Sequence, residues 1–335
     1  MEKKRLKIAV VGLGKMGLLH ASILNVFPDV ELVALCDKSA LMKRLYKKIF
    51  SSVGVKVLDD FEKLYSFNLD AVYVTTPISS HSFIVKNLFT KKIVRNFFVE
   101  KTLASNYDQA KELCALAKDF GSITMVGYMK RFSVVFRKAK ELLTEGTLGK
   151  PYSFTAYAYS SDFLGSTNGS KSSASRGGAV RDIGCHLIDL ALWLLGDLEV
   201  RDILSSEKTE IGSETSVSFI AQNSAGLEGQ FDVSQSMPNY RMPEFGLSLD
   251  CSKGRIEVND DRLIVNLGDG SQRKWYKQDL NDSVYFFLGE SEYFREDKEF
   301  VNSLLENRVC EPNFITASRV DYIIDQVRKG VVNNE

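Results

Sequence analysis

The chain has 335 residues, of which 44% are hydrophobic and 26% are charged. This length and composition are typical of a globular protein with about two domains. Lys and Arg together number 43, as do Asp and Glu, so the formal net charge is zero. Nucleic-acid-binding proteins usually carry a basic domain, and a membrane helix needs roughly 18 apolar residues in a row. The sequence has neither feature, so we expect no nucleic-acid partner and no membrane partner.

The N-terminus and the cysteines favour a cytoplasmic location. The apolar run Leu6–Leu13 after a basic start imitates a signal peptide, but Lys7 and Gly12 interrupt it and leave it too short. The five cysteines are odd in number and scattered, without a CxxC pair. They predict reduced thiols rather than a disulfide framework or a zinc site, and no metal is expected.

The first 127 residues alternate β-rich runs with helical patterns. Strands are predicted at Leu6–Val11, Val30–Cys36, Ala71–Thr75, Val94–Val99 and Ile123–Val126. Helices are predicted at Lys15–Phe27, Ser39–Phe50, Asp59–Tyr65, His81–Thr90 and Tyr107–Phe120. Because strands and helices alternate in this way in βαβ units, residues 1–127 are expected to form an α/β domain with a doubly wound parallel sheet.

After Gly127 the pattern changes. Helices are predicted at Val134–Glu145, Asp182–Leu195, Glu290–Glu306 and Ile315–Lys329, and a strand at Tyr152–Tyr159. Between Glu199 and Val265, strand-like runs are separated by turns, which predicts a mostly antiparallel sheet. The stretch Ser160–Gly178 is rich in Ser and Gly, and loops of this length are often lids or binding loops. We assign residues 128–335 to a second, α+β domain.

A GxGxxG motif, formed by Gly12, Gly14 and Gly17, stands between the first strand and the first helix. These glycines permit a tight turn and a close approach of the backbone to a pyrophosphate, whose charge the helix N-terminus favours. Asp37 follows the second strand, where a carboxylate accepts hydrogen bonds from ribose hydroxyls. The same carboxylate repels a 2′-phosphate, so the Rossmann domain is expected to bind NAD rather than NADP, a preference that Lys38 weakens. The alternative is a turn that binds another ligand or none.

Five motifs follow one another along the chain. They are the glycine turn followed by His20, Thr76-Pro77 followed by His81, Glu100-Lys101, Gly127–Phe132 (GYMKRF) and Gly177–Asp189 (GGAVRDIGCHLID). In this order they resemble the Gfo/Idh/MocA oxidoreductases, NAD(P)-dependent dehydrogenases that act mainly on sugars and cyclitols. The resemblance covers essentially the whole chain. It departs at Thr102, where the family usually has proline, and at Ile78, where it often has asparagine.

The resemblance implies a cofactor site and an assembly. The expected cofactor contacts are Gly12, Leu13, Gly14, Lys15, Met16, Gly17, Asp37, Lys38, Thr75, Thr76, Pro77, His81, Glu100 and Lys101. It also implies that the second domain has a large, open-faced sheet with one face not covered by helices. From that face we expect a large apolar interface, and hence a homodimer or homotetramer.

The chain has only three histidines, and all of them fall in these motifs. Asp182 and His186 are four residues apart, so on a helix they project from the same face. Oxidation of a secondary alcohol requires removal of its hydroxyl proton, for which a histidine with a pKa of about 6.5 is suited. Lys101 ends a strand at the edge where ligands bind, and its ammonium can stabilise an alkoxide. The resemblance implies that these three residues are catalytic, with the final proton acceptor left open between His186 and Lys101. For His20 a structural role is preferred.

Polar and aromatic residues near these motifs are candidates for substrate binding. The expected contacts are Lys101, Arg131, Tyr157, Arg176, Asp182 and His186, with Tyr159, Asp162 and Asp189 as weaker candidates. Arg176 is also suited to a carboxylate or a nucleotide diphosphate.

The sequence therefore predicts an NAD-dependent oxidoreductase. It would transfer hydride between nicotinamide and a secondary carbon of a small-molecule substrate, namely a sugar, a sugar derivative or inositol. The alternatives are a nucleotide-sugar dehydrogenase of the same family, an oxidoreductase that never releases its nucleotide, and a catalytically silent NAD-binding sensor or regulator.

Overall fold

The computed structural model describes residues 5–50, 54–162, 176–210, 212–280 and 290–333. By its internal contacts the chain divides into two compact units. The first comprises Met1–Met129 and Val284–Asp321, and the second comprises Lys130–Ser283 and Tyr322–Glu335. All of residues 128–335 were expected in the second domain, whereas in the structure the segment Val284–Asp321 belongs to the first unit. The periodicity of a helix shows which of its faces is buried, but not which sheet that face covers.

The first unit alternates strands and helices. Its strands are β1 (Leu6–Val11), β2 (Val30–Cys36), β3 (Lys56–Leu58), β4 (Ala71–Val74), β5 (Phe97–Glu100) and β6 (Thr124–Gly127). Its helices in this part of the chain are α1 (Lys15–Leu24), α2 (Ala40–Ile49), α3 (His81–Thr90) and α4 (Tyr107–Asp119), with 3-10 helices at Phe61–Phe67 and Ile78–Ser80.

The six strands form one parallel sheet in the order β3-β2-β1-β4-β5-β6. This order confirms the predicted doubly wound sheet. Every residue of β4 is buried, as expected for a central strand covered on both faces. The strand order reverses between β1 and β4, and ligands of open α/β sheets bind at the carboxyl ends of the strands at such a point.

The second unit is built around an eight-stranded sheet. Its strands are β7 (Pro151–Tyr159), β8 (Glu199–Lys208), β9 (Glu214–Gln222), β10 (Glu228–Ser234), β11 (Glu244–Cys251), β12 (Gly254–Asn259), β13 (Arg262–Leu267) and β14 (Gln272–Tyr276). Its helices are α5 (Val134–Thr144) and α6 (Cys185–Leu195), with a π-helical turn at Val180–Gly184 and 3-10 helices at Met129–Phe132 and Lys277–Leu280. Two helices follow, α7 (Ser291–Glu306) in the first unit and α8 (Phe314–Asn333), which ends in the second.

The strand order of this sheet is β14-β13-β12-β11-β7-β10-β9-β8. Among the pairings of the described residues, only β7 with β10 is parallel, so the prediction of a mostly antiparallel sheet is confirmed. One face of β7 carries Phe154, Ala156 and Ala158, which are buried. Helix α6 packs against β7 and β11, and α5 packs against β12 and β13.

The opposite face of this sheet differs from the expectation of a large apolar surface. Its partly exposed residues are mainly polar, because polar side chains occupy alternate positions on five neighbouring strands. They include Thr155 on β7, Ser218 on β9, Gln230 and Asp232 on β10, Ser248 on β11 and Glu257 on β12. Alternation along a strand places them opposite the buried set. This face is therefore mixed rather than uniformly apolar, since Tyr157, Tyr159 and Ile220 lie on it beside the polar side chains.

The predicted helix Asp182–Leu195 begins differently in the structure. Asp182 lies in the π-helical turn Val180–Gly184, and regular α-helix starts only at Cys185. Such π turns occur frequently at functional sites. No helix among the described residues is both long and apolar enough to cross a bilayer.

Candidate active site

The glycine turn after β1 is shaped by contacts that exclude side chains. Gly12 has a φ of +100°, and a Cβ there would lie 2.7 Å from the backbone of Thr75 and Thr76. A Cβ on Gly17 would lie 2.0 Å from the carbonyl oxygen of Gly12. At Gly14, in contrast, a Cβ would have no described atom within 4 Å. The first and third glycines are therefore needed for packing, while the second leaves the turn open to a ligand.

Helix α1 begins directly beyond this turn, at Lys15, and no described side chain caps its N-terminus. Its first backbone N–H groups are available to an anion. Two hydrogen bonds from side-chain hydroxyls hold the glycine turn in place. The Thr75 hydroxyl donates to the Gly12 carbonyl oxygen at 2.6 Å, and the buried Tyr46 hydroxyl donates to the Gly14 carbonyl oxygen at 3.3 Å. The turn is thus held in place before any ligand binds.

A cavity of about 630 Å³ lies over the turn. Ten of the predicted cofactor contacts line it, namely Gly12, Leu13, Gly14, Lys15, Met16, Asp37, Lys38, Thr75, Thr76 and Pro77. Nine further lining residues were not predicted from the sequence: Val11, Cys36, Ser39, Met42, Asp59, Phe61, Ser80, Phe83 and Ile84. Most of them belong to helices or turns beside the sheet, and no sequence motif marked them.

Each oxygen of the Asp37 carboxylate accepts a hydrogen bond from a backbone N–H group. Its Oδ2 accepts from the backbone N–H of Leu13 at 2.7 Å, and its Oδ1 accepts from that of Ser39 at 2.7 Å. Each carboxylate oxygen has a second lone pair, so the group can still accept from a ligand hydroxyl. Asp59 lines the same cavity, which adds negative charge on this side. The carboxylates of Asp37 and Asp59 therefore favour the binding of a diol at this end of the cavity and disfavour the binding of a phosphate.

His81 lies beneath this cavity rather than in its wall. The ring is fully buried, with Nδ1 2.9 Å from the carbonyl oxygen of Thr102 and Nε2 2.8 Å from that of Thr76. Burial lowers the pKa of His81, and the carbonyl groups offset this only in part. The residue joins two loops and does not present a free nitrogen to a cofactor, which corrects the expected contact.

Glu100 is likewise a supporting residue, in contrast to the predicted cofactor contact. Its Oε1 lies 3.0 Å from Nε2 of His20, and its Oε2 accepts from the backbone N–H of Lys101 at 3.0 Å. Lys101 itself follows directly after β5 and is partly exposed, and its peptide bond to Thr102 is cis.

In the second unit, Asp182 and His186 lie on consecutive turns of one helical segment. Oδ2 of Asp182 accepts from Nε2 of the buried Gln235 at 2.8 Å and from Arg176 at 3.2 Å. The ring of His186 is nearly buried and meets that of Phe245 edge-on, with 5.4 Å between centroids. Gln235 follows β10, and no sequence motif marked it.

Arg131, a predicted substrate contact, is engaged within the protein. It forms a bidentate pair with Asp189, from Nε to Oδ2 at 2.7 Å and from the guanidinium NH2 to Oδ1 at 2.6 Å. Both side chains are buried. A fork of this kind satisfies the planar guanidinium geometry, so the pair supports helix α6 rather than a substrate.

Tyr157 also differs from its predicted role. Its hydroxyl donates to Glu244 at 2.5 Å, and its ring stacks on that of Tyr159 with 4.9 Å between centroids. Along β7 these tyrosines alternate with Ala158, which pairs with Phe245 on the face that contacts His186. Tyr157 therefore lies on the opposite face of the sheet from His186 and does not border the same site.

Two further expectations from the sequence concern the Ser-rich stretch and metal ions. Most of the Ser-rich stretch, residues 163–175, lies outside the described residues, while at its edges Asp162 lies 3.6 Å from Arg176. Within the described ranges no group of three or more His, Cys, Asp or Glu side chains is placed to hold a metal ion.

Comparison with known families agrees with this geometry. Residues 6–128 match a family model described as an oxidoreductase family with an NAD-binding Rossmann fold, and residues 136–257 match the GFO/IDH/MocA C-terminal domain. The chain belongs to the GFO/IDH/MocA oxidoreductase family. It therefore carries an NAD-binding Rossmann domain, and the resemblance drawn from the five motifs is confirmed.

Individual members of the family are related to the chain over most of its length. The myo-inositol 2-dehydrogenase of Thermotoga maritima is 26% identical over 320 residues, which cover 89% of this chain and 88% of that protein. The D-glucoside 3-dehydrogenase of Escherichia coli is 27% identical over 235 residues, 69% of this chain and 64% of that protein. A solved levoglucosan dehydrogenase in complex with NADH has a TM-score of 0.85 at 18% identity and covers 98% of each chain, which shows the shared fold.

The buried pair of Arg131 and Asp189 leads to a stability prediction. Replacement Arg131→Ala leaves Asp189 buried without its bidentate partner, and should lower the free energy of unfolding by about 3–5 kcal/mol. The matched control is Arg255→Ala, which removes an arginine from a partly exposed pair with Asp250 and should cost less than about 1 kcal/mol. Urea denaturation of both variants measures the difference. Equal losses would show that Arg131 is not a structural residue.

Proposed function

We propose that the protein is an NAD-dependent dehydrogenase that acts on a secondary alcohol, or the corresponding ketone, of a sugar, a sugar derivative or a cyclitol. The observation that carries the proposal is the cavity in which the open glycine turn and the anchored carboxylate of Asp37 lie together. The dehydrogenases of inositol and of glucosides among its relatives support this substrate class.

The residues that line the cavity fit a dinucleotide. The open side of Gly14 and the uncapped N-terminus of α1 suit the pyrophosphate, and Asp37 suits the adenosine ribose. Asp37 and Asp59 together oppose a 2′-phosphate, so we assign NAD over NADP in spite of Lys38. The nicotinamide of the bound cofactor supplies the hydride acceptor.

We assign the proton chemistry to Lys101, Asp182 and His186. The ammonium of Lys101 donates a hydrogen bond to the substrate oxygen and stabilises the developing alkoxide. His186 takes up the hydroxyl proton, and Asp182 serves as the carboxylate that orients it. Gln235 and Arg176 in turn hold Asp182 in one position, which supports this assignment.

The pairing of Arg176 bears on the choice of substrate. Its guanidinium contacts both Asp182 and Asp162, and these carboxylates compete with any diphosphate for it. This favours an uncharged sugar or cyclitol over a nucleotide-linked sugar. The proposal includes a cytoplasmic location and a homodimer or homotetramer, whose interface would have to suit a partly polar sheet face or use another surface.

The substrate class is tested by following NADH absorbance with a panel of inositols, aldoses, glucosides, polyols and nucleotide-linked sugars, using NAD and NADP in parallel. We expect turnover with NAD on the inositols or the sugars. Turnover confined to nucleotide-linked sugars would contradict the proposed substrate class. NAD binding without turnover in either direction, with the matching ketones included, would favour a regulator.

Removal of the proposed catalytic groups should stop the chemistry without preventing cofactor binding. Lys101→Ala and His186→Ala should each lower kcat by roughly 10²–10⁴, because each removes a group that acts on the substrate hydroxyl. Calorimetry should find NAD affinity within about threefold of that of the wild type, well below the tenfold that 1.4 kcal/mol represents. Lys86→Ala, which removes a surface lysine paired with Glu112, is the control. Near-normal turnover in either catalytic variant would refute its assigned role.

The Asp37 carboxylate should set the difference in affinity between NAD and NADP. Asp37→Ala removes acceptors for the ribose and for two backbone N–H groups, so both nucleotides should bind less tightly. The loss should be about tenfold larger for NAD, because a hydrogen bond to a charged group contributes about 1.5–3 kcal/mol. Glu112→Ala removes an exposed carboxylate that pairs with Lys86 and does not line the cavity, and is the control. Equal losses of NAD and NADP affinity in Asp37→Ala would contradict the ribose assignment.

A further inference from the structure

Three charged residues are buried together behind Lys101 in the first unit. His20 and Asp297 have no exposed surface, and Glu100 is 7% exposed. Nδ1 of His20 lies 2.8 Å from Oδ1 of Asp297, and its Nε2 lies 3.0 Å from Oε1 of Glu100. The three residues come from three elements, with His20 on α1, Glu100 at the end of β5 and Asp297 on α7. None of the three lines the cofactor cavity.

This geometry suits a doubly protonated ring between two carboxylates. Burial raises the pKa of Asp297, and the neighbouring His20 and Tyr73 offset this only in part. A neutral imidazole donates from one nitrogen only, so a carboxylate at each nitrogen is satisfied only by the imidazolium. Burial by itself lowers the pKa of His20, but Asp297 and Glu100 outweigh it and raise the pKa well above its usual value. The other groups that face the ring are uncharged phenols and a phenyl ring: Tyr73 on β4, Tyr293 on α7 and Phe98 on β5.

Glu100 connects the buried cluster of His20, Asp297 and Glu100 to the backbone of Lys101. While Oε1 faces His20, Oε2 accepts from the backbone N–H of Lys101 at 3.0 Å. The carboxylate has little room on its other side, because a Cβ on Gly127 would lie 3.2 Å from Cδ and from Oε1 of Glu100. The direction in which the chain leaves β5 at Lys101 is therefore tied to the position of one buried carboxylate.

We propose that Asp297 and His20 are positioning residues for Lys101: Asp297 holds His20 as an imidazolium, and the imidazolium fixes Glu100 so that it anchors the Lys101 backbone. The inference deepens the proposed function and rests on it, since the catalytic consequence follows only if Lys101 acts on the substrate. Its structural part, the charge of His20 and the anchoring of the Lys101 amide, is independent of any reaction.

The charge of His20 can be measured in the unaltered protein. The chain has three histidines, so ¹⁵N-labelling of histidine gives three pairs of ring-nitrogen signals, assigned with His81→Asn and His186→Asn variants. We expect one ring, that of His20, to carry protons on both nitrogens across the range from about pH 6 to 9, in which an ordinary histidine of pKa about 6.5 becomes neutral. A neutral His20 ring at about pH 7 would overturn the proposal.

The anchoring step is tested with Asp297→Asn. Loss of one of its two carboxylates lowers the pKa of His20, so the ring becomes neutral as the pH rises. Its hydrogen bond to Glu100 then loses the charge assistance of the imidazolium and holds the carboxylate less firmly. We expect kcat to fall by about tenfold at alkaline pH, with NAD affinity unchanged and recovery toward the wild-type value at acidic pH, because a small misplacement of a reacting group is enough for such a loss. Glu299→Gln removes a surface carboxylate from the same helix and is the control. A kcat–pH profile like that of the wild type in Asp297→Asn would refute the positioning role.

A second variant perturbs Glu100 without replacing any of the three buried charged residues. Gly127→Ala places a methyl group against the Glu100 carboxylate, and it should also lower kcat by about tenfold while leaving NAD affinity unchanged. It keeps the proposal testable if Asp297→Asn does not fold. An unchanged kcat in a folded Gly127→Ala variant whose Lys101 amide signal has shifted would count against the proposal.

The Lys101 amide separates failure of this inference from failure of the proposed function. Labelling Glu with ¹³C and Lys with ¹⁵N selects Glu–Lys dipeptides, of which the sequence has four, including Glu100-Lys101. We expect the Lys101 amide signal to shift and its hydrogen exchange to accelerate in Asp297→Asn. If these changes occur but Lys101→Ala keeps full turnover, the proposed catalytic role of Lys101 is wrong while the anchoring is right. If the amide is unchanged, the anchoring is wrong.

Discussion

The close contact between two turns of the parallel sheet is the constraint on which the cofactor cavity depends. Gly12, after β1, approaches the backbone of Thr75 and Thr76, after β4, so closely that no side chain fits between them. This contact lies where the strand order reverses, and it leaves Gly14 facing the open cavity. Asp37 then ties the end of β2 to the same turn through the backbone N–H of Leu13. The cavity is thus built mainly from backbone contacts, which are present before a ligand arrives.

The motif residues divide into two classes that the sequence does not distinguish. Gly12, Gly14 and Asp37 line the cavity. Glu100, His81, Arg131 and Asp189 stand in equally specific motifs, yet their polar atoms are engaged by other parts of the protein. A buried polar group needs partners, and supplying them requires particular residues as strictly as binding a ligand does. A specific motif therefore indicates a constrained position, whose cause is either a ligand or the fold.

The parts of the structure that could be predicted are those encoded locally. The doubly wound sheet, the glycine turn and Asp37 follow from strand–helix alternation and from short-range spacing. Asp297 and Gln235 could not be predicted, because each meets its partner only through the tertiary fold, 277 residues from His20 and 53 residues from Asp182. Tyr157 shows a different limit. Its alternation with Ala158 was evident from the sequence, but which face of the sheet carries His186 depends on where the helix packs.

The return of the chain to the first unit has a consequence for how the protein is made. Helix α7 supplies Asp297 to His20, so the amino-terminal half by itself contains His20 and Glu100 but lacks the second carboxylate. Domains generally fold as units during synthesis, with the N-terminal one first. Here the first unit cannot be completed until the segment Val284–Asp321, which follows the second unit's sheet in the chain, has been synthesised. While the second unit is synthesised, the Rossmann half lacks helix α7 and the partner that it gives to His20, although every residue that lines the cofactor cavity has already been made.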